Sequence, residues 1–146
     1  MTAFDAGMPA GPGVLPEVVA AAWVCVRDRR VLVVRAHNSD AFYLPGGKPE
    51  AGETHAEAAA REAEEEVGIA LRASDLRLFR TIEAPAHNRP PGTRVRLVCF
   101  TGESDAIPVP ANEIAELAWF TSADAPRCAP AIRLLLDELV RDDLID

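Results

Sequence analysis

Apolar residues recur with two different periods along this chain, and these periods predict both strands and helices. Five short apolar runs, bounded by polar or Pro- and Gly-rich breaks, are typical of strands: Val18–Val26, Val31–Ala36, Leu76–Ala84, Val95–Gly102 and Glu116–Phe120. Only a short polar break around Asp28-Arg29-Arg30 separates the first two runs, so we expect them to form a hairpin. A helical stripe near the C-terminus predicts a closing helix with these apolar residues: Ile132, Leu135, Leu136 and Leu139.

Another helix is predicted after the Gly-rich stretch FYLPGG, and both of its ends carry recognisable signals. Thr54 is a favourable N-cap, and Glu57 three residues later completes a capping box. Alanines at helical spacing form a small-residue face suited to close packing on a sheet, and Gly68 can adopt a positive φ that ends the helix. Because strands and helices mix without regular βαβ alternation, we expect a mixed α/β sandwich rather than a doubly wound parallel sheet.

Composition and charge narrow the class of protein. A chain of 146 residues is most simply one domain, and we expect it to span residues 17–146 after a disordered Gly- and Pro-rich arm over residues 1–16. The net charge of −8 disfavours a nucleic-acid duplex or an anionic membrane as partner. The sequence shows neither a secretory signal nor an apolar run of about 20 residues. Three cysteines in or near apolar runs indicate buried free thiols and a cytoplasmic location: Cys25, Cys99 and Cys128.

The stretch REAEEE, residues 61–66, concentrates four carboxylates on the predicted helix. Helical spacing places Glu62, Glu65 and Glu66 on one side, whereas Glu64 points elsewhere. Such carboxylates repel each other unless a cation lies among them, and Mg²⁺ prefers oxygen ligands. A solvated acidic face is the alternative. Arg61 could pair with Glu57, Glu65 or Glu53, and any of these pairs would stiffen the junction between loop and helix.

The spacing of these residues resembles the signature of the Nudix hydrolase family, GX5EX7REUXEEXGU, where U is apolar. Gly47, Glu53 and the run from Arg61 to Ile69 match every fixed position, with Ala63 a small residue in its apolar slot. The likeness extends over Val18 to Leu139. It implies a Nudix-like α/β/α sandwich with a mixed sheet between helices. It also implies Mg²⁺- or Mn²⁺-dependent cleavage of a diphosphate linked to another moiety, usually a nucleoside.

The resemblance also implies roles for individual residues. It makes Glu62, Glu65 and Glu66 metal ligands, with the Gly46 carbonyl as a further candidate ligand, and it makes Arg61 and Glu53 an orienting pair. The general base would be a box glutamate or a glutamate on a later loop, where Glu113 and Glu116 are the candidates. The candidate substrate contacts are Arg35, Gly47, Lys48, Phe42 and His87.

The substrate is the least determined part of this interpretation. We expect a small nucleotide-type diphosphate, with a nucleoside triphosphate or damaged nucleotide favoured by the short chain. An ADP-ribose or nucleotide-sugar pyrophosphatase is the alternative, because Pro85 falls 16 residues after Ile69, as in that subgroup. A non-catalytic nucleotide sensor is a third reading, and it is disfavoured because every box glutamate is present. Many relatives form homodimers, so the resemblance also allows one here.

Overall fold

Seven strands and two α-helices form the part of the chain that the computed structural model describes, residues 16–146. The strands are β1 (Glu17–Val24), β2 (Val26–Arg27), β3 (Arg30–Ala36), β4 (Gly46–Gly47), β5 (Arg77–Pro85), β6 (Arg94–Thr101) and β7 (Ile114–Phe120). The helices are α1 (His55–Val67) and α2 (Pro130–Arg141). Neither helix is long and apolar enough to cross a bilayer. The predicted disordered arm, residues 1–16, falls outside the described residues except for Pro16.

The strands form two sheets. The larger has the order β4-β1-β6-β5, and it is mixed because β1 and β6 run parallel whereas the other pairs are antiparallel. The smaller has the antiparallel order β2-β3-β7. This arrangement confirms the mixed α/β fold class and excludes a doubly wound parallel sheet.

Strand β1 carries a helix on each of its faces. Its side chains alternate between the two faces, as the strand period requires. Ala20 and Ala22 pack in the cluster that contains the apolar stripe of α2, whereas Ala21 packs with Ala58 and Ala59 of α1. The predicted stripe of α2 is fully buried. The mixed sheet therefore lies between helices, as expected for an α/β/α sandwich.

The predicted hairpin between the first two strands forms only at its tip. Val26 and Arg27 pair with Val31 and Arg30 across a turn in which Asp28 and Arg29 have φ values of 50° and 61°. The rest of the first apolar run is β1, which pairs with β4 and β6 of the other sheet. The change of sheet is invisible in the hydrophobic pattern because the run is buried on both faces, so no polar residue marks the break.

The predicted ends of α1 are both confirmed. Thr54 Oγ1 accepts a hydrogen bond from the Glu57 N–H at 3.1 Å, and Glu57 Oε1 accepts one from the Thr54 N–H at 2.8 Å. Gly68 has a φ of 70° and its N–H donates to the Glu64 carbonyl. These bonds satisfy backbone groups that the helix itself leaves unpaired. The three cysteines are buried and free, as predicted.

Candidate active site

Two glycines let the chain pass between β1 and α1. Gly46 and Gly47 pair with Ala22 and Ala21 of β1. A Cβ at position 46 would lie 2.4 Å from the Ala21 carbonyl oxygen, and one at position 47 would lie 1.8 Å from Glu62 Oε2. A side chain at position 46 would collide with the backbone of β1, and one at position 47 would displace the Glu62 carboxylate, so the Gly-Gly turn is packed directly against β1 and the acidic helix.

Three carboxylates meet above this turn. One oxygen from each of Glu62, Glu66 and Glu113 can be chosen so that all three lie within 4.8 Å of one another. The Glu62 and Glu66 side chains are buried, at 2% and 1% exposure, and Glu113 is half-buried. Glu66 Oε1 accepts a hydrogen bond from the Gly46 N–H at 3.1 Å. Glu62 Oε2 is buried and has no hydrogen-bond partner among residues 16–146.

The electrostatics of this group disfavour negative charge in the metal-free protein. Burial raises the pKa of Glu62 to about 8, with Arg61 opposing the shift and Glu65 adding to it. Burial also raises the pKa of Glu66 to about 9, where the Glu62 carboxylate adds to the shift and the Gly46 N–H opposes it. A buried oxygen without a partner is costly, and an all-oxygen donor set is what a hard divalent cation prefers. The residues present therefore fit Mg²⁺ or Mn²⁺.

Glu65 stands apart from the buried group. Its side chain is 48% exposed, and Arg61 Nη1 lies 3.4 Å from its Oε2. On a helix, Glu65 is rotated about 60° from Glu62, in the direction opposite to Glu66. This rotation places Glu65 on the same face as Arg61, four residues earlier. The structure thus groups Glu62 and Glu66 with Glu113, and the role of Glu65 as a metal ligand stays a prediction.

Arg61 ties the loop before α1 to the helix. Its Nε and Nη2 donate to the two carboxylate oxygens of Glu53 at 2.8 and 2.9 Å, and its Nη2 also reaches the Lys48 carbonyl at 3.4 Å. Glu50 lies 3.1 Å from the same guanidinium. The Arg61 guanidinium lowers the pKa of Glu53, which keeps that carboxylate ionised. Of the three pairings considered from the sequence, Arg61 makes those with Glu53 and Glu65.

The loop after β6 caps the last turn of α1, a contact that was not predicted from the sequence. The Val109 and Ala111 N–H groups donate to the Val67 and Glu66 carbonyls, each at 3.0 Å. Asn112 Nδ2 donates to the Glu65 carbonyl at 2.7 Å. The sequence feature that could have indicated this contact is the alternation IPVPA, residues 107–111. Its two prolines lack an N–H, so only the alternate residues can donate hydrogen bonds. These bonds bring Glu113 to the buried carboxylates.

Glu116, the other candidate loop base, lies away from that group. It is exposed on β7, and its Oε1 accepts a hydrogen bond from Arg35 Nε at 2.9 Å. Arg35 also donates to the carbonyls of Ala36 and Ser39. Arg35 thus pairs with Glu116 and also binds the backbone just after β3.

A cleft of about 240 Å³ adjoins the carboxylates. Glu66 and Glu113 lie on its lining, which also includes an apolar set, Val34, Leu44 and Ile114, and a polar set, Asn38, Ser39, Tyr43, His87, Asn88 and Arg89. Of the five predicted substrate contacts, His87 lines this cleft. Arg89 and Asn88 were missed, because the loop that carries them reads only as polar and Pro-rich.

The other predicted substrate contacts lie elsewhere. Phe42 is buried at 4% exposure, and its ring packs on Phe120 with the centroids 4.8 Å apart, so its side chain belongs to the core. Gly47 contacts Glu62, and Lys48 is half-buried in the loop that Arg61 holds. Gly47 and Lys48 therefore lie beside the carboxylates and their supporting loop.

The fold and the buried carboxylates define a class of α/β/α proteins with an acidic site on a helix above a glycine turn. The family model described as NUDIX domain matches residues 15–139. The chain therefore belongs to the Nudix family and is a Nudix hydrolase. A search of curated proteins by sequence found no match.

Solved structures of Nudix proteins share this fold. A MutT protein from Methanosarcina mazei Go1 is 20% identical, with a TM-score of 0.70, and the match covers 88% of this chain and 96% of that one. The E. coli dihydroneopterin triphosphate pyrophosphohydrolase is 26% identical, with a TM-score of 0.63 and coverage of 85% and 95%. An Ap4A hydrolase from C. elegans is 22% identical, with a TM-score of 0.64 and coverage of 88% and 96%.

Proposed function

We propose that this protein hydrolyses the diphosphate linkage of a nucleoside diphosphate derivative with the help of Mg²⁺ or Mn²⁺. The observation that carries the proposal is the group of Glu62, Glu66 and Glu113 beside a cleft of about 240 Å³. A nucleoside triphosphate or damaged nucleotide is the favoured substrate. The likeness to a dihydroneopterin triphosphate pyrophosphohydrolase, at 26% identity over 95% of its length, supports that choice.

The proposed metal ligands are Glu62 and Glu66, with Glu65 and the Gly46 carbonyl as further candidates. A divalent cation held there would polarise phosphate oxygens and lower the pKa of a bound water. The Gly46 N–H orients Glu66 by its hydrogen bond at 3.1 Å. The buried Glu62 Oε2 supplies an oxygen that no residue of 16–146 uses.

Glu113 is the best placed residue to accept a proton from the attacking water. It is the half-buried member of the group and it lines the cleft, so solvent and substrate both reach it. A water activated there would attack a phosphorus of the diphosphate, and the departing group would be a phosphate or pyrophosphate. Arg61 and Glu53 act indirectly, because their paired hydrogen bonds hold the loop that carries the Gly-Gly turn.

The nucleoside part would occupy the remainder of the cleft. Val34, Leu44 and Ile114 offer an apolar surface, and Tyr43 lies beside it. The buried thiols of Cys25, Cys99 and Cys128 suit a reducing compartment, so we also propose that the protein acts in the cytoplasm.

A panel of nucleotides assayed with Mg²⁺ tests the proposed function. It should include nucleoside triphosphates, oxidised nucleotides, ADP-ribose and nucleotide sugars, with the products identified in each case. We expect release of a nucleoside monophosphate and pyrophosphate from at least one triphosphate. Turnover of ADP-ribose alone would support the alternative substrate class, and binding without turnover anywhere in the panel would support a sensor.

A matched pair of variants shows whether the buried carboxylates carry the activity. Glu66→Gln should lower turnover by about 100-fold or more, because it removes a charged oxygen donor. Glu64→Gln makes the same change at an exposed position of the same helix and should leave turnover within about twofold. Equal activity in both variants would end the assignment.

A further inference from the structure

The loop between β5 and β6, residues 86–93, is a closed turn at the rim of the cleft. The Ala86 N–H donates to the Thr93 carbonyl at 2.9 Å, and the Thr93 N–H donates to the Pro90 carbonyl at 3.1 Å. Asn88 and Gly92 have φ values of 53° and 88°, a region that asparagine and glycine adopt most readily. These bonds give the loop a defined shape.

Two side chains of this loop attach it to Asp40, next to Asn38 and Ser39 of the cleft lining. His87 Nε2 lies 2.7 Å from Asp40 Oδ1, and Asn88 Nδ2 donates to the same oxygen at 3.3 Å. His87 also meets the Tyr43 ring edge-on, with the centroids 6.3 Å apart. The next residue, Arg89, is therefore presented to the cleft by neighbours that are already anchored.

Arg89 has no acidic partner among residues 16–146 although it lies in a cleft lined by carboxylates. No ion pair or side-chain hydrogen bond joins it to another residue of 16–146, whereas Arg35, Arg61 and Arg80 all pair with carboxylates. It is half-buried and lines the same cleft as Glu66 and Glu113. Among the described residues on that lining, it is the one lysine or arginine.

We propose that Arg89 binds a phosphate group of the substrate and thereby selects phosphorylated over unphosphorylated ligands. This inference rests on the proposed function. A guanidinium matches phosphate with paired, charge-assisted hydrogen bonds, and an unpaired one loses no existing partner when it binds. The protein carries a net charge of −8, and carboxylates line the cleft, so an anionic ligand gains most from a guanidinium on that lining.

Calorimetric titration with ligands that resist cleavage tests this role. The α,β-methylene analogues of ATP and GTP are compared with adenosine and guanosine, all with Mg²⁺ present. We expect Arg89→Ala to weaken binding of the triphosphate analogues about 10- to 100-fold and to leave nucleoside binding unchanged. Arg89→Lys should recover part of the loss, because lysine restores the charge but not the paired hydrogen bonds of a guanidinium. In hydrolysis, KM should rise more than kcat falls.

Arg77→Ala is the matched control, since it removes the same charge from an exposed arginine away from the cleft. Equal binding by the two alanine variants would overturn the assignment of Arg89. Equal loss of nucleoside and triphosphate binding in Arg89→Ala would also overturn it, because Arg89 would then contact the nucleoside. If the wild-type protein turns over a nucleotide while Arg89→Ala behaves as wild type, only this inference fails. If the wild-type protein binds and hydrolyses none of them, the proposed function fails with it.

Discussion

The Oε2 atom of Glu62 occupies the space that a side chain at Gly47 would need. A Cβ added at Gly47 would lie only 1.8 Å from that oxygen. The position of one buried carboxylate is therefore set by the absence of a side chain on the neighbouring turn, 15 residues earlier in the chain.

Gly47→Ala should displace Glu62 and weaken Mg²⁺ binding. We expect a smaller rise in melting temperature on addition of Mg²⁺, and turnover reduced about tenfold or more, because displacements of about 1 Å are costly at a reacting centre. Gly102→Ala is the control, since its Cβ would meet the flexible end of Leu76 rather than a carboxylate. A Gly47→Ala variant with normal Mg²⁺ stabilisation would show that the carboxylate can relax without cost.

The two loop glutamates should respond differently to neutralisation. Glu113→Gln should lower kcat by about 100-fold or more if Glu113 takes the proton from water. Glu116→Gln should change kcat by less than about twofold, because Glu116 forms an exposed pair with Arg35. Comparison of kcat and of Mg²⁺ affinity in the two variants is the measurement. A larger loss in Glu116→Gln would assign the base to β7 instead.

Arg61→Ala should separate loop positioning from metal binding. The variant loses both hydrogen bonds to Glu53, so the loop before α1 should become more mobile and its amides should exchange faster with solvent. We expect kcat to fall while Mg²⁺ affinity stays closer to wild type than in Glu66→Gln. Arg61→Lys should restore charge but not the paired geometry. Equal loss of Mg²⁺ in Arg61→Ala and Glu66→Gln would contradict a purely positioning role.

The metal-free protein should lose stability as pH rises above about 4.5. In the unfolded chain, Glu62 and Glu66 ionise near their ordinary pKa of 4.5, whereas burial holds their folded pKa values at about 8 and about 9. The folded state therefore keeps protons that the unfolded state releases, and the free energy of unfolding falls until pH passes the folded values. The Glu53 carboxylate, whose pKa Arg61 lowers, acts in the opposite direction, below about pH 4.5.

Melting curves in EDTA between pH 5 and 9, the range between the unfolded and the folded pKa values, measure this effect. Glu66→Gln should flatten the dependence, because its amide does not titrate. Saturating Mg²⁺ should also reduce it, since bound metal favours the ionised carboxylates. A melting temperature that rises steadily with pH in EDTA would show that these two carboxylates ionise freely in the folded protein.

Local signals explain what could be predicted from the sequence. The capping interactions of Thr54, Glu57 and Gly68 involve residues only a few positions away in the sequence. The sequence alone therefore predicts where α1 begins and ends. The pairing of Arg61 with Glu53 also bridges a short separation. These features depend on helix geometry and capping, which hold in almost any tertiary setting.

Long-range placement explains what could not be predicted. Phe42 resembles a candidate for stacking on a base, yet it packs on Phe120, 78 residues away in the chain. Asp40 and the loop that carries His87 and Arg89 are far apart in the sequence, and only the folded chain brings them into contact. The spacing of residues along the chain does not predict such long-range contacts, because they depend on how the two sheets pack.

The amides of Val109 and Ala111 donate backbone hydrogen bonds to the end of α1. Their exchange with solvent therefore reports whether the site is assembled. Their protons should be protected from exchange only while this loop rests on the helix that carries Glu66. Each opening of that loop would carry Glu113 away and expose two helix carbonyls at the same moment. The fraction of molecules ready for catalysis could thus be followed from two exchange rates, with no substrate present.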